Sequence, residues 1–355
     1  MAKFHTLKIA DVRRETADCV SIAFEVPDNL KEEFNYIQGQ YLTLKLKVKG
    51  EEIRRSYSLC SSPTADKELR IAIKKVKDGK GSGFLNGEVK AGDKMEVMTP
   101  MGNFHTPMDA GKKKNYILFA GGSGITPMLS IIKTILLDEP QSTMHLYYGN
   151  RDEASAIFKK SLDDLSLSNA ARFRITHVLE NPSGSVDAIN RGILSKEKAS
   201  ALLAAESGIG ADTEYFICGP GPMMENVKQS LQERKVDDKK IHIEYFTAVI
   251  DAVNKAEASN GSGMMSHVTV IMDGKETEFD LSSEGMVILD KAIDEGVDAP
   301  YACKGAVCCT CRAKLLEGKV RMDNNYALTD SEVKEGYILT CQSHPLTPKV
   351  VVDYD

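Results

Sequence analysis

Residues 303–311 read Cys-Lys-Gly-Ala-Val-Cys-Cys-Thr-Cys, so four of the eight cysteines lie within nine positions. A fifth, Cys341, follows after 29 intervening residues. Disulfide frameworks are typical of short secreted domains, whereas this chain has 355 residues. Its first 19 residues contain no apolar run like that of a secretory signal. The cysteines therefore predict a metal site in a reducing compartment, and we expect a cytoplasmic protein.

The spacing of these cysteines indicates which metal they bind. The candidate ligands follow the pattern C-x4-C-x2-C with a distant fourth thiol: Cys303, Cys308, Cys311 and Cys341. Plant-type [2Fe–2S] clusters use this spacing, whereas structural zinc sites favour two C-x2-C pairs. We expect Cys309 to fill the loop without binding iron. Gly305 and Ala306 are small enough for backbone N–H groups to approach the cluster sulfurs.

Charge and hydropathy exclude other classes of protein. The net charge of −6 argues against a nucleic-acid binder, and no stretch approaches the roughly 18 apolar residues of a membrane span. Residues 266–355 hold 16 acidic and 9 basic side chains, a net of −7, whereas the rest of the chain is nearly neutral. This asymmetry predicts a separate acidic module at the end of the chain.

The patterning divides the chain further. Residues 5–105 contain short β-type runs between turn residues, typical of a small barrel or sandwich, and residues 115–247 alternate strand and helix patterns, typical of a parallel sheet. A flexible Asn-Gly-Ser-Gly run lies within a stretch of little periodicity. We predict four segments: a β-barrel domain (1–108), an α/β domain (109–250), a linker (251–265) and an iron–sulfur domain (266–355), and the motifs below assign the first to FAD and the second to NAD(P)H.

The predicted barrel contains a flavin motif. Its residues, Arg-Ser-Tyr-Ser, match the R-x-Y-S motif of the ferredoxin–NADP reductase superfamily: Arg55, Ser56, Tyr57 and Ser58. An arginine can neutralise a flavin phosphate, a tyrosine ring can stack on the isoalloxazine, and a serine can hydrogen-bond the N5 region. A Tyr-Ser pair in a strand is otherwise ordinary β surface. The match alone therefore does not establish flavin binding, and further segments of the sequence decide the question.

Two further segments resemble this superfamily. Residues 79–85, which include Gly81 and Ser82, resemble the segment that holds the flavin pyrophosphate at a helix start. Residues 38–41 resemble its G-Q-Y/F element, with Gln38 where proline is usual. Some relatives with this domain order use FMN, but residues 79–85 and 100–104 are more similar to the FAD branch. The resemblance therefore favours FAD over FMN.

A glycine-rich turn follows the first strand of the α/β segment. Residues 121–128 read Gly-Gly-Ser-Gly-Ile-Thr-Pro-Met, and Pro127 stands where the dinucleotide fingerprint G-x-G-x-x-G needs glycine. The string matches the superfamily's G-G-x-G-[IV]-[AT]-P motif instead. The resemblance implies that this turn binds the nicotinamide nucleotide, through Gly121, Gly122, Gly124, Thr126 and Pro127.

A second turn, residues 218–224, matches the superfamily's C-G-P segment. By resemblance it contributes Cys218, Gly219, Pro220 and Met223. The resemblance implies that Cys218 lies near nicotinamide C4 and flavin N5, with Ser58 and Thr126 as the other catalytic residues. Without it, Cys218 would more often be a buried structural cysteine. Phe246 occupies the position of an aromatic residue near the flavin, although a plain core phenylalanine is almost as common there.

The choice between NADPH and NADH depends on the adenosine 2′ position. A 2′-phosphate needs cations or hydroxyls, whereas a free ribose usually meets an acidic residue. Arg151, Ser155 and Arg191 favour NADPH. Asp152 and Glu153 adjoin Arg151, so NADH stays open.

The three modules resemble the reductase components of oxygenases. Residues 266–355 are similar to a plant-type β-grasp ferredoxin, with Ala306 where the family loop has glycine. Because a one-electron cluster cannot accept a hydride, flavin is the necessary converter between NAD(P)H and the cluster. The runs RRSYSLCSSP, YYGNRDEASAIF and CKGAVCCTCRAKLLEG resemble the reductase subunits of phenylacetyl-CoA epoxidase complexes.

This resemblance implies an oxygenase partner, a di-iron enzyme, and no nucleic acid or membrane. The acidic iron–sulfur module predicts a basic docking patch on that partner. Two alternatives stay open at this point. The partner could instead be a ring hydroxylase, a haem oxygenase or a desaturase, or the chain could be a redox sensor without turnover.

Overall fold

A computed structural model describes residues 3–246 and 263–355. In chain order, its strands form an antiparallel sheet, a parallel sheet and a mixed sheet with a small two-stranded ribbon. Most of the predicted linker, residues 251–262, lies outside the described residues. The other predicted domain boundaries stay predictions.

The first sheet has six antiparallel strands and one helix. Their bounds are β1 Phe4–Thr16, β2 Cys19–Glu25, β3 Tyr41–Val48, β4 Glu51–Ser58, β5 Leu69–Lys74, α1 Lys80–Gly87 and β6 Lys94–Met98. The spatial order is β4-β3-β6-β1-β2-β5, and a bridge between Leu59 and Ile71 brings the two edges together. Fully buried aliphatic residues such as Leu44 and Ile22 fill the resulting barrel.

The hairpin of β3 and β4 positions much of the site. Its turn residues, Lys49 and Gly50, both have positive φ, as a two-residue hairpin turn requires. The pairing places Tyr41 opposite Ser58 and Lys45 opposite Arg54. Because side chains alternate along a strand, these residues share one face, and Arg55 lies on the other.

The second sheet has five parallel strands in the order β11-β10-β7-β8-β9. Its elements are β7 Asn115–Gly121, α2 Ile125–Asp138, β8 Thr143–Asn150, α3 Lys159–Ser168, β9 Phe173–Leu179, α4 Lys196–Ala205, β10 Thr213–Cys218, α5 Gly221–Glu233 and β11 Ile241–Glu244. The central strand β7 is buried from Tyr116 to Gly121, as a strand covered on both faces requires. Both glycine-rich turns lie at the carboxyl edge of this sheet, where open α/β folds bind nucleotides.

The third sheet has the order β13-β12-β18-β14-β16. Its elements and the adjoining ribbon, β15 with β17, are β12 Met265–Met272, β13 Lys275–Ser282, α6 Ile288–Asp294, β14 Arg312–Glu317, β15 Val320–Met322, α7 Asp330–Lys334, β16 Tyr337–Leu339, β17 Ser343–Pro345 and β18 Lys349–Asp353. The cysteine loop connects α6 to β14. The sheet and α6 share one apolar core with the loop. The predicted fold class, a flavin barrel, an α/β domain and a β-grasp ferredoxin domain, is confirmed.

The helix in this module is shorter than the sequence pattern predicts. Residues 286–297 show helical periodicity, but the helix spans Ile288–Asp294. Val287 has extended backbone, and Gly296, at φ +86°, ends the helical path. No helix in the described ranges 3–246 and 263–355 is long and apolar enough to cross a bilayer.

Candidate redox site

Two predicted flavin elements meet at the barrel. Arg55 extends from β4 toward the first turn of α1, where a Cβ atom on Gly81 would lie 3.4 Å from its Cγ. Arg55 is exposed, and its Nη1 donates to the Arg54 carbonyl at 2.7 Å, which leaves further N–H donors for a phosphate. Ser56 and Tyr57 are half-buried on the same strand. A helix N-terminus beside an arginine suits an anionic pyrophosphate.

The Ser82 hydroxyl has local partners in the turn before α1. It accepts a hydrogen bond from the Val76 N–H at 3.0 Å and lies 3.4 Å from the Gly79 carbonyl. The hydroxyl therefore stabilises the turn. Its role in pyrophosphate binding stays a prediction. The backbone N–H groups of this turn can bind the pyrophosphate without the hydroxyl.

The two glycine-rich turns of the nucleotide site pack directly against each other. A Cβ on Gly124 would lie 2.0 Å from the Cys218 carbonyl oxygen, and one on Gly121 would lie 2.6 Å from Pro220 Cδ. A Cβ on Gly219 would lie 2.9 Å from the Gly121 nitrogen. No side chain fits at these positions. The motif glycines therefore bring β7 and β10 together as well as leaving room for a ligand.

The remaining residues of these motifs complete the same region. Gly122 has φ +51°, and its carbonyl accepts a hydrogen bond from the Tyr148 hydroxyl at 3.0 Å. Thr126 and Pro127 are buried in the first turn of α2, and the Thr126 hydroxyl donates to the Ser123 carbonyl at 3.0 Å. Met223 packs from α5 against Gly121. The structure thus brings the predicted nicotinamide residues into one turn-against-turn cluster.

A carboxyl that the sequence analysis did not assign joins the predicted catalytic residues. Ser58 donates a hydrogen bond to Glu244 Oε2 at 3.1 Å, across 186 positions of sequence. Glu244 ends β11 directly beside Cys218 in the parallel register. Burial raises the pKa of Glu244 to about 8 and raises that of the Cys218 thiol well above its usual value. Ser58, Cys218 and a protonatable carboxyl therefore converge from two sheets.

A sequence signal for Glu244 existed. A carboxylate at the end of a short strand pattern, immediately before two aromatic residues, is costly to bury without a partner.

The two aromatic residues after Glu244 have different surroundings. Tyr245 is buried, its hydroxyl donates to Glu225 at 2.9 Å, and its ring lies 5.3 Å from that of Tyr326. Phe246 is 39% exposed at the last residue described before position 263, and its proximity to flavin stays a prediction.

The predicted adenosine residues lie at the ends of β8 and β9. Arg151 and Arg191 are both exposed there. Arg151 Nε donates to Asp152 at 2.9 Å, and Asp152 also accepts the Ser155 N–H at 2.8 Å. These bonds lower the pKa of Asp152 and occupy its carboxylate. The Ser155 hydroxyl is likewise hydrogen-bonded, to the backbone of Asp152. Of these three residues, Arg151 is therefore the one whose side chain faces solvent.

The four predicted cluster ligands form two pairs. The Cys308 thiol donates to Cys303 Sγ at 3.1 Å, and Cys311 hydrogen-bonds Cys341. In the described part of the chain, no three His, Cys, Asp or Glu side chains converge on a single ion position. A two-iron cluster with four cysteine ligands needs two cysteines per iron, so two pairs of thiols suit it.

Backbone N–H groups surround the sulfurs. The Gly305 N–H donates to Cys303 Sγ at 3.3 Å. The bond from Cys308, followed by N–H groups of the loop, lowers the pKa of Cys303 to about 6. The bond with Cys311, followed by the Ala306 N–H, also lowers the pKa of Cys341. Cys303 and Cys341 therefore favour the thiolate, the form in which cysteine binds iron, whereas the same pairings and burial raise the pKa of Cys308 and of Cys311.

The loop reaches this geometry with an unusual backbone. Lys304 and Ala306 both have positive φ, 49° and 64°. This explains why the family favours glycine at the position of Ala306. Cys309, also buried, points away from the ligand pairs, and its thiol donates to the Ala327 carbonyl at 3.4 Å.

The cluster loop contacts the flavin barrel. The Cys309 N–H donates to the Tyr41 hydroxyl at 2.9 Å. A cavity of about 210 Å³ lies at this junction, lined among others by Tyr41 of the first sheet, Glu244 of the second sheet and Cys308 of the cysteine loop. Glu244, the hydrogen-bond partner of Ser58, and the cysteine loop thus face a common space.

Comparisons with known proteins agree with this geometry. Three family models match successive parts of the chain: Oxidoreductase FAD-binding domain (6–106), Oxidoreductase NAD-binding domain (118–229) and 2Fe-2S iron-sulfur cluster binding domain (270–346). A subunit of the 1,2-phenylacetyl-CoA epoxidase of Escherichia coli K12 is 40% identical, over 100% of this chain and 99% of its own length. The chain belongs to the ferredoxin–NADP reductase superfamily, in the branch that ends in a [2Fe–2S] domain.

Other members of the family serve different systems. The ferredoxin reductase component of the 3-ketosteroid-9-alpha-monooxygenase of Rhodococcus rhodochrous is 32% identical, over 98% of this chain and 96% of that one. The solved structure of phthalate dioxygenase reductase superposes with a TM-score of 0.59 at 25% identity, covering 99% of this chain and 98% of that one. Phthalate dioxygenase reductase is a modular structure for electron transfer from pyridine nucleotides to [2Fe–2S].

The reductase is therefore an NAD(P)H-dependent flavin and iron–sulfur oxidoreductase, and the predicted FAD, [2Fe–2S] and nicotinamide cofactors are confirmed. Its residues fit these groups: an exposed arginine beside a helix start, glycine turns without room for a Cβ, and two pairs of thiols. When bound, FAD accepts two electrons as a hydride and releases them singly. The individual site residues stay predictions, which the following variants test.

Cys308→Ala should abolish iron binding while FAD stays bound, because the flavin elements lie on the barrel. Cys309→Ala is the matched control, since its thiol points at Ala327 rather than at the ligand pairs. Iron content and the visible spectrum measure both cofactors. Equal loss of iron in the two variants would contradict the proposed ligand set.

Glu244→Gln should remove a pH dependence of stability. With a folded pKa of about 8 against 4.5 in the unfolded chain, the folded state binds more protons between these values, so stability falls as pH rises through this window. Glutamine does not titrate. The melting temperature of the variant should therefore rise relative to the wild type from pH 5 to pH 8. The exposed control Glu233→Gln should show no such trend, and a constant difference for Glu244→Gln would refute the assignment.

Proposed function

We propose that this reductase passes electrons from NADPH through FAD and its [2Fe–2S] cluster to a di-iron oxygenase that epoxidises phenylacetyl-CoA. The observation that carries the proposal is the 40% identity, over the full length, to a subunit of a phenylacetyl-CoA epoxidase. The arrangement of the site supports the electron route, because Glu244, which accepts a hydrogen bond from Ser58, and the predicted cluster ligand Cys308 line one cavity.

The residues of the hydride site have distinct tasks in this proposal. Cys218 and Thr126 bound the nicotinamide side, and Ser58 bounds the flavin side. Glu244 holds the Ser58 hydroxyl in place through the 3.1 Å bond. Because the pKa of Glu244 lies near 8, its carboxyl can retain or release a proton near neutral pH, and Ser58 can relay that proton toward the flavin N5 region.

The charges at the adenosine end favour NADPH. A ribose 2′-hydroxyl needs a free carboxylate acceptor, and the Asp152 carboxylate is already bonded to Arg151 and to the Ser155 N–H. Two exposed arginines, Arg151 and Arg191, are available for a 2′-phosphate. Charge-assisted hydrogen bonds of this kind contribute about 1.5–3 kcal/mol each.

The acidic iron–sulfur module favours a partner with a basic docking patch. Residues 266–355 carry a net charge of −7, so opposite charge on the oxygenase would accelerate encounter. Relatives that serve steroid and glycine betaine monooxygenases are 30–35% identical, which keeps another oxygenase as the second candidate. Association should weaken as salt rises, because exposed charges are screened.

Arg151→Ala should raise KM for NADPH about ten-fold and leave KM for NADH within about two-fold. The expected loss equals roughly 1.4 kcal/mol, which is a factor of ten. Arg234→Ala, an exposed arginine at the end of α5 that bonds Ser200, serves as the control. An equal effect on both nucleotides would refute a 2′-phosphate role.

The proposed function is tested by reconstitution. The purified reductase is mixed with phenylacetyl-CoA oxygenase components and NADPH, and the epoxide is followed by mass spectrometry across a salt series. We expect epoxide only with the wild type, no epoxide with the Cys308→Ala variant, and a rate that falls with salt. Reduced flavin and cluster without epoxide would leave the electron route intact and refute the partner.

A further inference from the structure

Two consecutive arginines in β4 point in opposite directions. Arg55 is exposed and extends toward the α1 turn, where the flavin phosphate site is proposed. Arg54 is only 5% exposed although it lies on an outer strand of the first sheet. A buried arginine requires partners for its charge, and those of Arg54 come mainly from the iron–sulfur module.

The contacts of Arg54 cross from the barrel to the segment that leads into the cysteine loop. Its Nη2 donates to Asp298 Oδ1 at 2.7 Å, and its Nη1 donates to the Ala299 carbonyl at 3.3 Å. Its guanidinium lies 4.5 Å from the centre of the Tyr301 ring, a cation–π distance. Within its own sheet, the polar partner is Glu52, at 3.1 Å.

A second crossing bond lies on the same face of the hairpin. Tyr41 accepts the Cys309 N–H at 2.9 Å, and Tyr41 and Arg54 share a face through the β3–β4 pairing. The barrel therefore contacts the cysteine loop on both sides of Cys303 and Cys308: before Cys303, through Asp298–Tyr301, and after Cys308, through Cys309 and Thr310. Asn103 of the barrel adds a bond to Glu332 at 2.8 Å. Cys303 and Cys308 are the ligand pair nearest this contact.

We propose that Arg54 is a positioning residue that latches the iron–sulfur module onto the flavin barrel, with Asp298 as its counterpart, and so sets the rate of electron transfer from flavin to cluster. This inference rests on the proposed electron route. In each transfer, the reduced flavin loses one electron, and one ferric iron of the cluster becomes ferrous. Rates of such transfers fall steeply with distance, so a fixed contact keeps them fast.

Solvent reaches the Arg54–Asp298 pair from one side. The Asp298 side chain is 74% exposed and that of Arg54 only 6%, so water and salt reach the bond from the Asp298 side. Each contact of Arg54 with the iron–sulfur module is polar or involves the guanidinium, whereas Tyr41 also packs against Ala302. Raised ionic strength should weaken the Arg54–Asp298 pair, and so slow transfer from flavin to cluster without touching the hydride site.

The kinetic test separates two steps in the FAD- and cluster-loaded protein. Stopped-flow absorbance with NADPH follows flavin bleaching and then cluster bleaching. For Arg54→Met, we expect flavin bleaching within two-fold of the wild type and cluster reduction at least ten-fold slower. Glu52→Gln removes the carboxylate partner of Arg54 within the barrel and is the matched control, with both steps within two-fold. Unchanged cluster reduction in Arg54→Met would refute the latch.

A variant on the other module keeps the test valid should Arg54→Met fail to fold. Asp298→Asn changes an exposed side chain and should slow cluster reduction about three-fold and remove most of its salt dependence. Arg54→Lys should restore part of the rate, because it keeps the charge but loses the second donor. Full salt dependence in Asp298→Asn would count against the pair.

A structural measurement tests the latch without turnover. Hydrogen exchange in the oxidised protein, without NADPH, should be faster in residues 298–310 of Arg54→Met and Asp298→Asn than in the wild type or Glu52→Gln. Equal exchange in all four proteins would overturn the latch. If NADPH fails to reduce the flavin of the wild type, the proposed function falls, and the exchange result still decides the latch.

Discussion

The site depends on the alternation of side chains along β4. Arg55 leaves one face toward the α1 turn, whereas Arg54 leaves the other toward the iron–sulfur module, and Ser58 follows at the end of the strand beside Glu244. One strand thus carries the arginine predicted to bind the flavin phosphate, the serine of the predicted hydride site and the arginine that contacts the iron–sulfur module. A one-residue shift in register would exchange these faces and separate all three.

A second constraint is the close approach of the two glycine-rich turns. Gly124 lies against the Cys218 carbonyl so closely that a Cβ would overlap it. This contact fixes Cys218 beside Glu244 through the parallel pairing of β10 with β11. The packing of backbone on backbone therefore determines where Cys218 and Glu244 meet Ser58 of the barrel.

Local spacing was the part of the site that the sequence could predict. The pattern of four cysteines predicted a [2Fe–2S] domain, which the family model over residues 270–346 confirms, and the structure brings the four predicted ligands together in two pairs. The position of Glu244 at the end of a strand pattern is visible in the sequence, but its bond to Ser58 could not be predicted, because it joins residues 186 positions apart. For the same reason, the sequence does not indicate the role of Arg54, whose bond to Asp298 spans 244 positions. The predicted helix over 286–297 was too long, since periodicity does not register the positive φ of Gly296.

FAD is the obligatory link between a two-electron donor, NAD(P)H, and a one-electron cluster. The most direct test removes FAD from the iron-loaded protein, adds NADPH, and follows the cluster by electron paramagnetic resonance before and after FAD is restored. We expect no reduced-cluster signal without FAD and a full signal within seconds of adding it back. A reduced cluster in the FAD-free protein would contradict the account.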